Sequence, residues 1–103
     1  MQLSKRMQRL ASLVTEENRL ADIGTDHGYI PIYLIQQKKI QSALAMDINS
    51  GPLSRAKEHI EASGLTTYIE TRLSDGLCKL EADEADTVLI AGMGGMLMVS
   101  ILN

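Results

Sequence analysis

The chain has no tryptophan, no phenylalanine and three tyrosines, with one cysteine and two prolines. So few rings leave little from which to build the base-stacking platform that single-strand-binding proteins use. The lone Cys78 closes no internal disulfide and has no companions at metal-ligand spacing, so its expected role is core packing and no metal site is expected. No apolar run reaches the about 18 residues of a membrane span, and the start does not read as a secretion signal. A soluble, cytoplasmic chain is therefore expected. Basic charge is also in short supply: the formal charge is −3 at pH 7. This segment alone then offers little of the phosphate neutralisation on which RNA affinity depends. Its 103 residues, 45% of them hydrophobic, suffice for one modest core.

Against that background, the informative stretch is Asp22-Ile23-Gly24-Thr25-Asp26-His27-Gly28-Tyr29. The short apolar run from Leu20 to Ile23, the glycine break and the amphipathic run from Tyr29 to Gln37, with Pro31 near its start, predict strand, tight turn and helix. Gly24 can take backbone angles closed to other residues, and Gly28 lets the helix start lie close to a ligand. Helix amides would attract a diphosphate here, but Asp22 and Asp26 oppose one. Gly24 and Gly28 are also spaced G-x-x-x-G, whereas dinucleotide fingerprints need G-x-G-x-x-G. The ligand that suits two carboxylates is cationic, and S-adenosylmethionine, with a sulfonium and an amino group, is such a cofactor.

Three further turns follow the same plan. Ser42 to Asp47 is a second apolar run ending in a carboxylate, about 20 residues past the first glycine, where an acidic side chain grips ribose hydroxyls. Asn49 and Ser50 as caps, Pro52, the stripe Leu53, Ala56 and Ile60, and Gly64 as terminator predict a second helix. A third run, Thr66 to Leu73, leads into Ser74-Asp75-Gly76-Leu77, where Asp75 could accept from an adenine amino group while Gly76 and Leu77 lie against the ring. The fourth, Asp86 to Ala91, leads through Gly92-Met93-Gly94-Gly95 into Met96–Leu102, which reads as the first turns of an apolar helix. Four strand-turn-helix units over residues 20–103, behind a covering helix at 1–19, predict an α/β parallel sheet of order 3-2-1-4 with its ligand turns at the strands' carboxyl ends. Val88-Leu89-Ile90-Ala91 is apolar on both faces, as an interior strand is, yet the sequence stops before a fifth strand. An amino-terminal portion of a longer protein is expected, and the oligomeric state stays open.

The runs ADIGTDHGYIP, AMDIN with GPL, LSDGL and ADTVLIAGMGG together resemble the bacterial tRNA (adenine-22-N1)-methyltransferases of TrmK type, within the Rossmann-like class I S-adenosylmethionine methyltransferases. The resemblance covers essentially the whole chain and rests most on TDHGY combined with AGMGG. It implies that Asp22, Gly24, Thr25 and Gly28 surround the methionine part of the cofactor, Asp47 and Ile48 the ribose, and Asp75 and Gly76 the adenine. It further implies that Tyr29, Gly92, Met93 and Gly94 face the target base, with tRNA held mostly by regions beyond this chain. A GMGG turn after the fourth strand, in place of the Asn/Asp-Pro-Pro-aromatic turn used for exocyclic amines, suits a ring nitrogen that needs no deprotonation. Asp26 and His27 are the candidate catalytic residues, as positioners of the base or of the field around the methyl.

Blander readings stand beside these. His27 could be a turn residue bonded to its neighbours, and Asp22 could serve only to tie down turn amides. His59 is expected at the surface, the acidic group Glu81, Asp83, Glu84 and Asp86 as a solvated connection, and Met93, Met96 and Met98 as adaptable packing. At the amino terminus Leu3, Met7, Leu10 and Val14 form a helical stripe with Lys5, Arg6 and Arg9 off it, either a covering helix with a solvated face or a contact for the RNA backbone. Two other functions remain: a non-catalytic nucleoside-binding domain and, further off, a nicotinamide-dependent oxidoreductase.

Overall fold

The alternation of apolar runs with glycine-broken turns becomes a five-stranded sheet in a computed structural model. It describes residues 5, 8–9, 12, 19–25, 27–75, 79–81, 83–92 and 95–100, the side chains of 91, 92 and 95–100 excepted. The strands are β1 (Leu20–Ile23), β2 (Ala43–Asp47), β3 (Ile69–Leu73), β4 (Thr87–Gly92) and β5 (Gly95–Ser100), and the helices are α1 (Tyr29–Gln36) and α2 (Ser50–Ala62). The order across the sheet is β3-β2-β1-β4-β5. β1 runs parallel to β2 and β4, with Asp22 opposite Ala45 and Leu89, and β2 runs parallel to β3, with Asp47 opposite Leu73. The predicted 3-2-1-4 arrangement is thus present.

Strand alternation sorts the side chains into two layers. Leu20, Ala43, Ala45, Ile69 and Leu89 face α1 and α2, meeting Ile30, Ile32, Leu34, Ile35 and Ile60. Ala21, Ile23, Leu44, Met46 and Val88 face the other way, toward Leu80 and Ala85. Leu20, Ile32, Leu34, Ile60 and Leu89 are fully buried, each contributing about 1.5–3 kcal/mol on leaving water. α1 buries five of its eight residues, whereas α2 buries Ala56 and Ile60 and leaves its polar side to solvent. Both helices end on the same hydrogen-bond pattern. In α2, Leu65 N–H donates to Ile60 O and Gly64 N–H to Glu61 O; in α1, Lys39 N–H donates to Leu34 O and Lys38 N–H to Ile35 O. That pattern places its next-to-last residue in the left-handed region, with φ 72° at Gly64 and 58° at Lys38.

Three expectations are corrected. Residues 95–100 form a strand antiparallel to β4, with Gly92 opposite Gly95 and Thr87 opposite Ser100, and not the start of a helix. A run that is apolar at nearly every position carries no period to separate helix from strand, and β5 pairs the backbone groups along the outer edge of β4. The outer neighbour of β4 that the sequence reading lacked is this strand. Only the first two units are strand-turn-helix; among the described residues no helix follows β3 or β4. Nor is the acidic connection before β4 simply solvated. The Arg72 guanidinium donates to Glu84 Oε1 at 2.6 Å and Oε2 at 2.9 Å, and that of Arg19 to Asp86 Oδ1 and Oδ2, both at 3.1 Å. These pairs pin the connection so that Ala85 covers the sheet's second face.

At the amino terminus Lys5, Gln8, Arg9 and Ser12 are helical and exposed. Leu3, Arg6, Met7, Leu10 and Val14 lie outside the described residues.

Candidate functional site

The described site residues cluster at the strand ends and at the start of α1. Gly24 N–H and Thr25 N–H both donate to Met46 O, at 2.8 and 2.9 Å, which draws the turn after β1 onto the tip of β2. Ser74 N–H donates to Asp47 O at 2.8 Å and draws the end of β3 to the same place. Gly24 sits at φ 75°, a conformation that favours glycine. The structure therefore gathers Asp22, Gly24, Thr25, Gly28, Asp47, Ile48 and Asp75 along one end of the parallel sheet, with the backbone of Gly92 ending β4 on that same side. Asp26, Gly76, Met93 and Gly94 lie outside the described residues, as do Leu77 and Cys78.

Alternation turns Asp22 and Asp47 to the helix-covered face, where they are 2% and 7% exposed. Thr25 Oγ1 donates to Asp22 Oδ2 at 2.9 Å, and Asn49 N–H donates to Asp47 Oδ1 at 3.0 Å. Burial pushes the Asp22 carboxyl up to about 7; the Thr25 hydroxyl pulls it back, and the neighbouring Asp47 charge raises it further. No arginine or lysine partners Asp22 among the described residues. A buried carboxyl that lacks a counter-cation, next to a second acidic side chain, either keeps its proton or demands a positive charge beside it. Ile48, 58% exposed beside Asp47, offers an apolar surface at the strand tip. Asp75 is exposed past the end of β3.

Gly28 has a second reason to be glycine. It caps α1 at φ 74°, and a Cβ there would stand 3.3 Å from the Cβ of Ala56. The close approach it permits is to α2 as well as to any ligand. Asn49 is the N-cap of α2, as its position implied, but its side chain makes no capping bond.

His59 is where sequence reasoning failed. It is half-buried, and its Nδ1 lies 2.8 Å from the carbonyl oxygen of His27, which can only accept. Nδ1 therefore carries the hydrogen. The rings of His27, Tyr29 and His59 stack, with centroids 5.0 Å apart for His27 and Tyr29 and 5.5 Å for the other two pairs. His27 and Tyr29, both half-buried, are thus tied to α2. The available signal was position: His59 follows Ala56 by three residues and so shares the side of the helix that meets Gly28.

A parallel sheet of order β3-β2-β1-β4, extended by antiparallel β5 and carrying buried carboxylates near the carboxyl ends of β1 and β2, defines a Rossmann-like domain. A family model described as "Methyltransferase domain" matches residues 3–103, and the chain belongs to that family. It is 43% identical over 102 residues to the tRNA (adenine(22)-N(1))-methyltransferase of Bacillus subtilis (strain 168), covering 99% of this chain and 43% of the relative. Among solved structures it matches the B. subtilis m1A22 tRNA methyltransferase TrmK with a TM-score of 0.86 at 43% identity, over 90% of this chain and 40% of that one. It matches M. capricolum TrmK, solved with S-adenosyl-homocysteine, with a TM-score of 0.77 at 33% identity, over 87% of this chain and 52% of that one. The chain spans less than half the length of the Bacillus relative. No described helix is long and apolar enough to cross a membrane, and the described residues include no cluster of metal-ligating side chains.

Proposed function

We propose that this chain is the cofactor-binding portion of a cytoplasmic RNA methyltransferase that uses S-adenosylmethionine to methylate N1 of an adenine in tRNA, at position 22 by its likeness to the Bacillus enzyme. The observation that carries the reading is Asp22, a buried carboxyl beside Asp47 with no cation of its own among the described residues. When bound, S-adenosylmethionine supplies an electrophilic methyl on a positively charged sulfur. Asp22 and the turn from Gly24 to Gly28 would take its methionine part, Asp47 and Ile48 its ribose, and Asp75 and Gly76 its adenine.

Adenine N1 carries a lone pair, so attack on the methyl removes no proton and needs no general base. What the protein must supply is alignment, exclusion of water and a field that tolerates positive charge as it passes from sulfur to base. Asp26 and His27 are assigned to that alignment, with Tyr29, Gly92, Met93 and Gly94 around the target base. The His59 bond to the His27 carbonyl supports this by fixing the turn's path.

Calorimetric titration tests the reading. The chain is expected to bind S-adenosylmethionine and S-adenosylhomocysteine and to show no heat with a nicotinamide dinucleotide; the reverse pattern overturns it. Methyl incorporation into a tRNA with adenine at position 22, absent when guanine replaces it, separates an enzyme from a nucleoside-binding domain.

A further inference from the structure

Lysine is a costly choice at one position of this fold. α1 and α2 close with the same pair of bonds, yet the left-handed residue is Gly64 in α2 and Lys38 in α1. A side chain in that conformation crowds its own carbonyl, while glycine adopts it freely. Nothing in the packing of α1 calls for a lysine there, since Lys38 is exposed. Strain kept on a surface residue points to a use for the side chain.

The surroundings of Lys38 supply one. A groove of about 330 Å³ lies between Gln8 and Ser12 of the amino-terminal helical segment and Tyr33, Gln37, Lys38 and Lys39 at the end of α1. Lys39 Nζ donates to Ser12 O at 2.9 Å and joins the two banks. Lys5 and Arg9, also helical and exposed, lie three positions before Gln8 and Ser12 respectively and do not themselves line the groove. Two cations, Lys38 and Lys39, thus line the groove, with Lys5 and Arg9 on the helical segment that supplies its other bank, in a chain whose formal charge is −3, and no acidic side chain lines the groove among the described residues. Apart from the buried Leu34 and the Tyr33 ring, the side chains lining the groove are polar or cationic, which suits an anionic backbone.

We infer that Lys38, with Lys5, Arg9 and Lys39, forms a phosphate-binding edge that holds the sugar-phosphate backbone of tRNA. The inference rests on the tRNA reading above. The eight residues of α1, at about 1.5 Å each, set this edge about 12 Å along the helix from the Gly28 turn. A folded RNA with one base in the crevice spans that distance. Phosphate contacts of this kind set register and orientation, and carry no sequence information.

The experiment is Lys38→Gly, because strain and charge then move two measurements in opposite directions. Glycine should raise Tm by about 2–5 °C by relieving the left-handed lysine. It should also weaken tRNA binding roughly fivefold near 0.1 M salt and lower the slope of log affinity against log salt by about one. The loss should be equal for tRNAs with adenine or guanine at position 22. Lys38→Arg keeps the charge and should leave affinity and slope unchanged, and Lys5→Ala with Arg9→Ala should lower the slope further. A Lys38→Gly protein that binds tRNA with unaltered affinity and slope overturns the inference, as does a parent chain with no salt-dependent tRNA binding. S-adenosylmethionine titration of the same samples reads the crevice separately. Absence of cofactor binding sinks the methyltransferase reading, while the salt slopes still decide the edge.

Discussion

Asp22 and Glu84 are both carboxylates near the sheet, and the protein treats them in opposite ways. Glu84 lies against the Arg72 guanidinium and takes the Glu81 N–H, which hold it down to about 2. Asp22 is buried against Thr25 and near Asp47, and burial pushes it up to about 7. One charge is satisfied within the fold, and the other has no cation beside it among the described residues. The difference separates an acidic residue that fastens the chain from one that, on the function proposed above, meets the cofactor. Arg72, which also bonds Glu70 and the Lys79 carbonyl, and Arg19, which also bonds the Asp83 carbonyl, are placed at the connection before β4 rather than at the turn after β1.

The largest expected effect comes from removing the demand. Asp22→Asn keeps an acceptor for the Thr25 hydroxyl but has no charge to bury. The folded-state pKa of Asp22 is raised from its ordinary 3.8 to about 7. Its contribution to stability is therefore complete below the unfolded value and is lost as pH rises through the folded one. At pH 8 the asparagine protein should be more stable than the parent by on the order of 4 kcal/mol, and near pH 4 the two should unfold at the same urea concentration. The same substitution should abolish S-adenosylmethionine binding. Equal stability at both pH values would place Asp22 with Glu84, as a carboxylate already compensated.

A smaller effect sharpens the contrast without a mutation. A cation bound beside Asp22 favours its ionised form, so cofactor binding near neutrality should release protons. S-adenosylmethionine affinity should level off above pH 7 and be about tenfold weaker at pH 6, as the carboxyl takes up the proton that the ligand must displace. Calorimetry in buffers of different ionisation enthalpy checks both the sign and the fraction of a proton released. Binding that is indifferent to pH between 6 and 8 would remove Asp22 from contact with the ligand's charge.

What the sequence revealed and what it hid divide along similar lines. The parallel order follows from apolar runs regularly broken by glycine turns, and the end of α2 from Gly64, because these signals are local. The turns carrying Asp22, Asp47 and Asp75 could be placed at one end of the sheet for the same reason. β5 was hidden because Gly95–Ser100 is apolar almost throughout and fits either period. The Arg72–Glu84 and Arg19–Asp86 pairs were hidden because the partners are 12 and 67 positions apart, and composition shows only acidic residues in a row. His59 was read as surface since nothing near it in sequence mentions the His27 carbonyl. Which carboxylate is buried was equally out of reach: Asp22 and Asp75 each sit by a glycine turn, and only packing distinguishes them.

The smallest expected effect lies on the satisfied side of the comparison. Glu84→Gln keeps the side chain's shape and removes its charge, leaving Arg72 with Glu70 and the Lys79 carbonyl. Glu84 is lowered from its ordinary 4.5 to about 2, so its contribution is present above the unfolded value and is lost as pH falls through the folded one. The variant should therefore lose a little Tm at neutral pH, less in high salt because the pair is partly solvated and screened. Parent and variant should converge as pH drops from about 4.5 toward 2. Cofactor affinity should not change, since Glu84 holds a connection on the sheet's other face. A Glu84→Gln protein that lost S-adenosylmethionine binding while staying folded would mean that the acidic connection before β4 reaches the crevice, and that the division between fastening and binding carboxylates is drawn in the wrong place.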